Sequence, residues 1–174
     1  NLTAAALTGS GVLRASGGAG GTGNYLGGGG GGGRISILVS SNDSSTLDVQ
    51  TDPGNSPYTG GSGVIARKGP NESGYSLTLG SLTAVPQAVT LLSGSSPTFA
   101  DITIYNSIVN FDTGSTATIR GLLIRGTATV TAARLAPSAL EVANGAVLQL
   151  NAQSTSGNLQ IDGSGTFRQM NTAQ

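Results

Sequence analysis

Apolar residues in the C-terminal half of the chain come in short alternating bursts, and the bursts recur. Ile102-Thr-Ile-Tyr-Asn-Ser107, Leu122-Leu-Ile-Arg-Gly-Thr127, Leu140-Glu-Val-Ala-Asn-Gly145 and Leu159-Gln-Ile-Asp-Gly-Ser164 share one pattern. Each reads aliphatic, any residue, β-branched aliphatic, any residue, Asn or Gly, then a small residue. Their first residues are 20, 18 and 19 positions apart (102, 122, 140, 159). Alternate residues of a strand point to opposite faces, so Ile102/Ile104, Leu122/Ile124, Leu140/Val142 and Leu159/Ile161 are expected to face inward. The Asn or Gly that follows offers a positive φ at a corner. A second apolar strand follows each corner: Ile108–Phe111, Thr127–Val130, Ala146–Leu150 and Gly165–Phe167. Short strands recurring every 18–20 residues predict the stacked coils of a parallel β-solenoid, in which each coil buries its apolar face against its neighbours.

The N-terminal half is less regular. Leu7-Thr-Gly-Ser-Gly-Val-Leu-Arg14 echoes Ile161-Asp-Gly-Ser-Gly-Thr-Phe-Arg168, and Ile35–Val39, Leu47–Gln50, Gly63–Arg67 and Tyr75–Leu79 read as strands. Residues 52–63, with Asp-Pro-Gly-Asn-Ser-Pro and Gly-Gly-Ser-Gly, read as a loop. Ala132–Ala139 is the one stretch open to helix, limited to about a turn by Pro137. The reading is one all-β solenoid domain over 1–174, with a glycine-rich insertion at 17–33 and the loop at 52–63. The alternative is a β-sandwich, which also uses many short strands but needs hairpins and no 20-residue motif.

Composition supports strands. Glycine numbers 29, and helix-favouring Glu and Lys are confined to Glu72, Glu141 and Lys68. Each helical glycine costs about 1 kcal/mol relative to alanine. Eight basic and eight acidic residues cancel, and only 9% of the chain is charged, against a usual ~25%. No basic stripe marks a nucleic-acid partner, and no apolar run reaches the ~20 residues of a membrane helix. Neither a basic n-region nor an apolar h-region of a signal peptide is present. The neutral Ser/Thr/Asn-rich surface gives little self-repulsion and favours assembly.

The arrangement Leu-Thr-Gly-Ser-Gly-Val-Leu-Arg-Ala-Ser-Gly-Gly (7–18), a glycine run, then Arg34-Ile-Ser-Ile37 resembles segments of large secreted and surface proteins, mostly bacterial, that are glycine-rich parallel β-helices. The resemblance covers about 40 residues. It implies a β-helix fold, an extracellular or cell-surface location and an adhesin-like or structural role, and it carries over no catalytic residue. For the run Gly27, Gly28, Gly29, Gly30, Gly31, Gly32, Gly33, two readings stand: a tightly packed glycine layer or contact surface for another chain, and a surface loop. The expected contact for self-assembly is this run or the end strands.

Candidate chemistry is thin. The chain has no Cys and no His, which excludes Ser-His-Asp and Cys-His sites and thiolate or imidazole metal sites. Val109-Asn-Phe-Asp-Thr-Gly-Ser115 resembles the aspartic-protease signature, but that chemistry needs two facing aspartates, and Asp112 falls at a predicted corner. Gly20-Gly21-Thr-Gly23-Asn-Tyr25 has the glycines of a calcium-binding solenoid repeat without its aspartate, and no Gly-Lys-Ser/Thr phosphate loop follows the glycine run. Asn1, Asn42 and Asn71 begin glycosylation sequons. The acids Asp43, Asp48, Asp52, Glu72, Asp101, Asp112, Glu141 and Asp162 put at most one carboxylate in either outward column, Tyr105/Arg125/Ala143/Asp162 or Thr103/Leu123/Glu141/Gln160. The expected function is therefore a non-enzymatic structural or adhesive fibre module that binds itself, without a cofactor. A carbohydrate-binding or carbohydrate-cleaving protein on the same scaffold, meeting surface glycans, is the alternative.

Overall fold

In a computed structural model the chain is described over residues 1–21, 27–81, 87–91, 98–111, 117–132, 135–143, 145–150 and 158–169. It is all-β among these residues. Thirteen strands form: β1 (Leu2–Arg14), β2 (Arg34–Gln50), β3 (Val64–Lys68), β4 (Tyr75–Leu79), β5 (Gln87–Leu91), β6 (Thr98–Tyr105), β7 (Ser107–Phe111), β8 (Ala117–Arg125), β9 (Thr129–Ala132), β10 (Leu135–Ala143), β11 (Val147–Leu150), β12 (Asn158–Asp162) and β13 (Thr166–Gln169). They build a sheet of order β1-β2-β3-β4-β6-β8-β10-β12 and a second of order β13-β11-β9-β7-β5. Neither sheet closes on itself. Among the described pairs only β3–β4 is antiparallel.

From β4 onward the chain passes from one sheet to the other and back, and each strand pairs in parallel with the next strand of its own sheet. The observed register follows the sequence recurrence: Ile102 pairs with Leu122, Leu122 with Leu140 and Leu140 with Leu159, while Ile104, Ile124, Val142 and Ile161 align two positions on. The core lies between the sheets. Ile102, Ile104, Ile119, Ile124 and Val142 from the first and Val109, Val130 and Leu148 from the second are fully buried in one cluster. Each such side chain stabilises by roughly 1.5–3 kcal/mol.

Several expectations are corrected. Gly145 (φ 85°) makes a corner at the third repeat; Asn144, where the repeat pattern placed it, lies outside the described residues, as do Asp112–Ser115 and residues 22–26. The other corners are Asn106 (φ 41°), Gly126 (φ 69°) and Gly163 (φ 58°), and Gly80 (φ 81°) adds one more. That last corner extends the recurrence to a strand the repeat left out: Leu77 pairs with Ile102 and Leu79 with Ile104. Ile161 is 46% exposed, because among the described residues β12 is the edge of its sheet and no further strand covers the row. Ala132–Ala139 contains no helix among its described residues; Ala132 ends β9 and Leu135 opens β10, with Leu135 and Pro137 buried on alternate positions. Pro137 sits in β10 opposite Ile119 of β8.

The N-terminal unit buries the opposite face of the larger sheet. Leu77 and Leu79 on β4 face the C-terminal core, so Ser76 and Thr78, with their partners Arg67 and Ile65 on β3, face away from it. That other face holds buried Ile37 and Val39. β2 cannot be straight. Ala15 donates its N–H to Gln50 O (2.9 Å) and accepts from Gly33 N–H (2.6 Å), so both ends of a seventeen-residue strand meet at one residue, although an extended strand of that length spans about 55 Å. The chain reverses within β2, and β1 slips register between Ala4 and Ala6 alongside it. Arg67 reaches across this fold to Asp43 (Nη2–Oδ2 2.7 Å) and Ser45 Oγ (2.9 Å). The echo of Leu7–Arg14 in Ile161–Arg168 extends to the backbone at one position, where Gly9 (φ 93°) matches Gly163 (φ 58°), although the first segment lies within one strand and the second is strand, turn and strand.

Candidate functional site

The glycine run lies in a bundle of four extended segments, residues 15–21, 27–33, 51–55 and 58–63. None is strand or helix, and no glycine within them has a positive φ. The segments bond sideways at intervals of three residues. Gly17 and Gly20 donate to Asp52 O (2.9 Å) and Asn55 O (3.1 Å); Gly29 and Gly32 donate to Tyr58 O and Gly61 O (both 2.8 Å); Gly30 and Gly33 donate to Gly18 O (2.8 Å) and Ala15 O (2.6 Å). Gly54 N–H reaches Gly30 O and Gly63 N–H reaches Thr51 O, both at 2.8 Å. Three residues per turn with lateral bonds is the signature of polyproline-II-type helices, and the lateral bonds satisfy peptide groups that such a helix cannot satisfy alone.

This packing explains five of the seven glycines of the second segment. A three-residue helix has three faces, and each face of residues 27–33 meets a different neighbour. A Cβ on Gly27, Gly30 or Gly33 would lie 3.1 Å from Gly21 N, 3.1 Å from Gly18 N or 3.0 Å from Ala15 Cβ. On Gly29 or Gly32 it would fall under 3.0 Å from Gly54 O or Thr51 O. On Gly28 or Gly31 it would sit 3.6 Å from Tyr58 O or Gly61 O, an ordinary contact. The outer segments need glycine only on the face they turn inward, at Gly17 and Gly20, at Gly54, and at Gly60 and Gly63. The tract is thus a packed layer rather than a free loop, and its neighbours in this chain are its own. The segment 52–63, read as a loop, supplies half of the bundle.

The outward columns on the C-terminal part of the larger sheet hold the register read from the repeat. Thr103, Leu123, Glu141 and Gln160 align across β6, β8, β10 and β12, as do Tyr105 with Arg125 and Ala143 with Asp162. A third column, Asp101, Gly121 and Ala139, was not singled out in the sequence; small residues in it leave an open trough of about 420 Å³. Two ion pairs flank the trough. Asp101 takes the Arg120 guanidinium, and Glu141 takes that of Arg125 at 2.8 Å. Their carboxylates hold both guanidinium pKa values above the ordinary arginine value. Asp101 and Glu141 stand two strands and two residues apart, roughly 12 Å between Cα positions.

The remaining acids are dispersed. Asp43 is tied to Arg67 and Ser45, Glu72 accepts from Gly69 N–H (2.9 Å), Asp48 is bonded by Gln50, and Asp162 by Gln160 (2.6 Å). The bonds from Arg67 hold the Asp43 carboxyl below its ordinary value. Among the described residues no group of three or more acids, His or Cys is placed to hold a metal ion, and no helix is long and apolar enough to cross a membrane. No protein-family model, curated protein or solved structure matches the chain.

Proposed function

We propose that the chain is a non-enzymatic structural and adhesive module of an extracellular or cell-surface fibre, built as a parallel β-solenoid and associating with copies of itself. One observation carries this reading: strands of successive repeats pair in parallel, like residue over like residue, and among the described residues neither sheet closes on itself. The larger sheet ends at β1 and β12 and the smaller at β13 and β5. Edge strands present free N–H and C=O groups to another chain. β1 offers thirteen residues with a single charge, Arg14, so it lacks the charged gatekeepers that usually protect an edge. The contact is an end strand or the outer surface of the glycine bundle. Light scattering on the 174-residue chain from micromolar to millimolar concentration, with electron microscopy of the same samples, tests the reading. Growth of oligomers or filaments with concentration supports it, and a monomer throughout the range overturns it.

A further inference from the structure

We propose that the trough on the outward face of β6, β8, β10 and β12 binds a neutral polyhydroxylated chain, a glycan strand laid across the sheet. The floor is short and apolar. Gly121 has no side chain, Ala139 is exposed with only a methyl group, and Leu123 is half-buried beside them. A Cβ on Gly121 would approach Asp101 Oδ1 at 2.6 Å, so the carboxylate lies over the glycine and narrows one side of the trough. Such a floor suits the C–H faces of a sugar ring, and its volume lies within the range of about 300–1,000 Å³ seen for ligand sites.

The rim supplies hydrogen-bonding groups already held in place. Asp101 and Glu141 are each anchored by one guanidinium, and a carboxylate has about four acceptor positions, so lone pairs remain for ligand hydroxyls. Thr103 and Gln160 add a hydroxyl and an amide from the next column. Charge selects among occupants. Each lining carboxylate is already paired with a guanidinium, so the trough offers no unpaired lining charge to a polyanion or polycation, while anchored ionic groups make stronger hydrogen bonds to neutral hydroxyls than uncharged groups do. The trough crosses strands about 4.8 Å apart and is open to solvent, which accommodates a chain rather than a single small molecule.

Calorimetric titration of the 174-residue chain with cellohexaose and maltohexaose as neutral probes, hexagalacturonate as an acidic one and a neutral Ser/Thr-rich peptide tests this. Saturable binding of at least one neutral hexamer is expected. Ala139→Trp, which fills the floor, weakens it at least tenfold. Gln160→Ala, on an exposed side chain whose loss leaves the fold intact, weakens it several-fold, and Val12→Ala on distant β1 changes nothing. Absence of binding by either neutral hexamer overturns the proposal. So does tighter binding of hexagalacturonate, binding of the peptide alone, or binding that survives both trough variants. The inference does not rest on self-association: a strict monomer that binds cellohexaose refutes the fibre module and leaves the trough standing.

Discussion

Replacing single glycines of the 27–33 tract by alanine separates three rows that are chemically identical in sequence. None of these residues has a positive φ, so alanine fits the backbone everywhere and the outcome depends on space alone. At Gly29 and Gly32 the new Cβ meets a backbone carbonyl oxygen at under 3.0 Å. Backbone cannot swing aside as a side-chain tip can, and overpacking of this kind costs roughly 1–3 kcal/mol or more. At Gly28 and Gly31 the nearest atom is 3.6 Å away, and alanine restricts the unfolded chain, a gain of about 0.4–1 kcal/mol. Gly30, with its nearest neighbour at 3.1 Å, falls between. A change of 1 kcal/mol moves Tm by about 2–4 °C in a chain of this size. The expected order of Tm is therefore Gly28→Ala and Gly31→Ala at or above the parent, Gly30→Ala below it, and Gly29→Ala and Gly32→Ala lowest, by roughly 2–12 °C. Amide hydrogen exchange at Gly17, Gly20 and Gly54 should follow the same order if the bundle melts before the sheets. Equal effects at all five positions, or the reverse order, would refute the three-row packing.

Ile124→Asp, at a fully buried site, should cost several kcal/mol, whereas neighbouring Arg125→Asp loses one partly exposed ion pair and should cost about 0–1 kcal/mol; similar melts for the two would show the register to be wrong. Asn106 donates to Ser81 O (3.0 Å) and accepts from Thr127 N–H (2.9 Å) at a positive φ, so Asn106→Gly should lose only the bonds while Asn106→Ala loses the bonds and adds backbone strain, making it the less stable variant in denaturant titration. Because Arg67 depresses the Asp43 pKa, that pair stabilises the fold above the unfolded carboxylate value near 3.8 and the stabilisation is lost as pH falls through the lower folded value. Asp43→Asn should flatten that acid limb in a melt followed against pH, and an unchanged limb would remove Asp43 from its cause.

The C-terminal half was legible because its period-two alternation and its coil-length recurrence act together: Ile104, Ile124, Val142 and Ile161 could be aligned before any pairing was known. Leu77-Thr-Leu-Gly80 escaped because its corner comes three residues after the first aliphatic residue, against four at Asn106, Gly126 and Gly163. Ile161 was expected to be buried because its residue type was read without its place at the sheet edge. The reversal inside β2 left no Gly or Pro between Arg34 and Gln50 to announce it. The bundle was hidden for a different reason. Its period is three, and in 27–33 a homopolymer shows no period at all; the signal sits in the flanks, in the spacing of Gly17 from Gly20 and of Gly60 from Gly63. Gly121 and Ala139 gave no warning of a trough, since small side chains become a feature only once the strands are in register.

A segment made of one residue type carries no address. If residues 27–33 slide by a single position, six of the seven sites facing the three neighbours still receive a glycine, and only the end site receives Leu26 or Arg34. The alignment of the bundle must therefore be written in the flanking segments, where Ala15, Thr51, Gly54 and Gly63 differ from what stands beside them. Gene copies that gain one glycine codon in the run would keep a glycine at every site, while the same one-codon slip between Gly54 and Gly63 would turn a side chain into the packed centre. Length variation in this molecule is expected to be tolerated in the monotonous tract and purged from the mixed one.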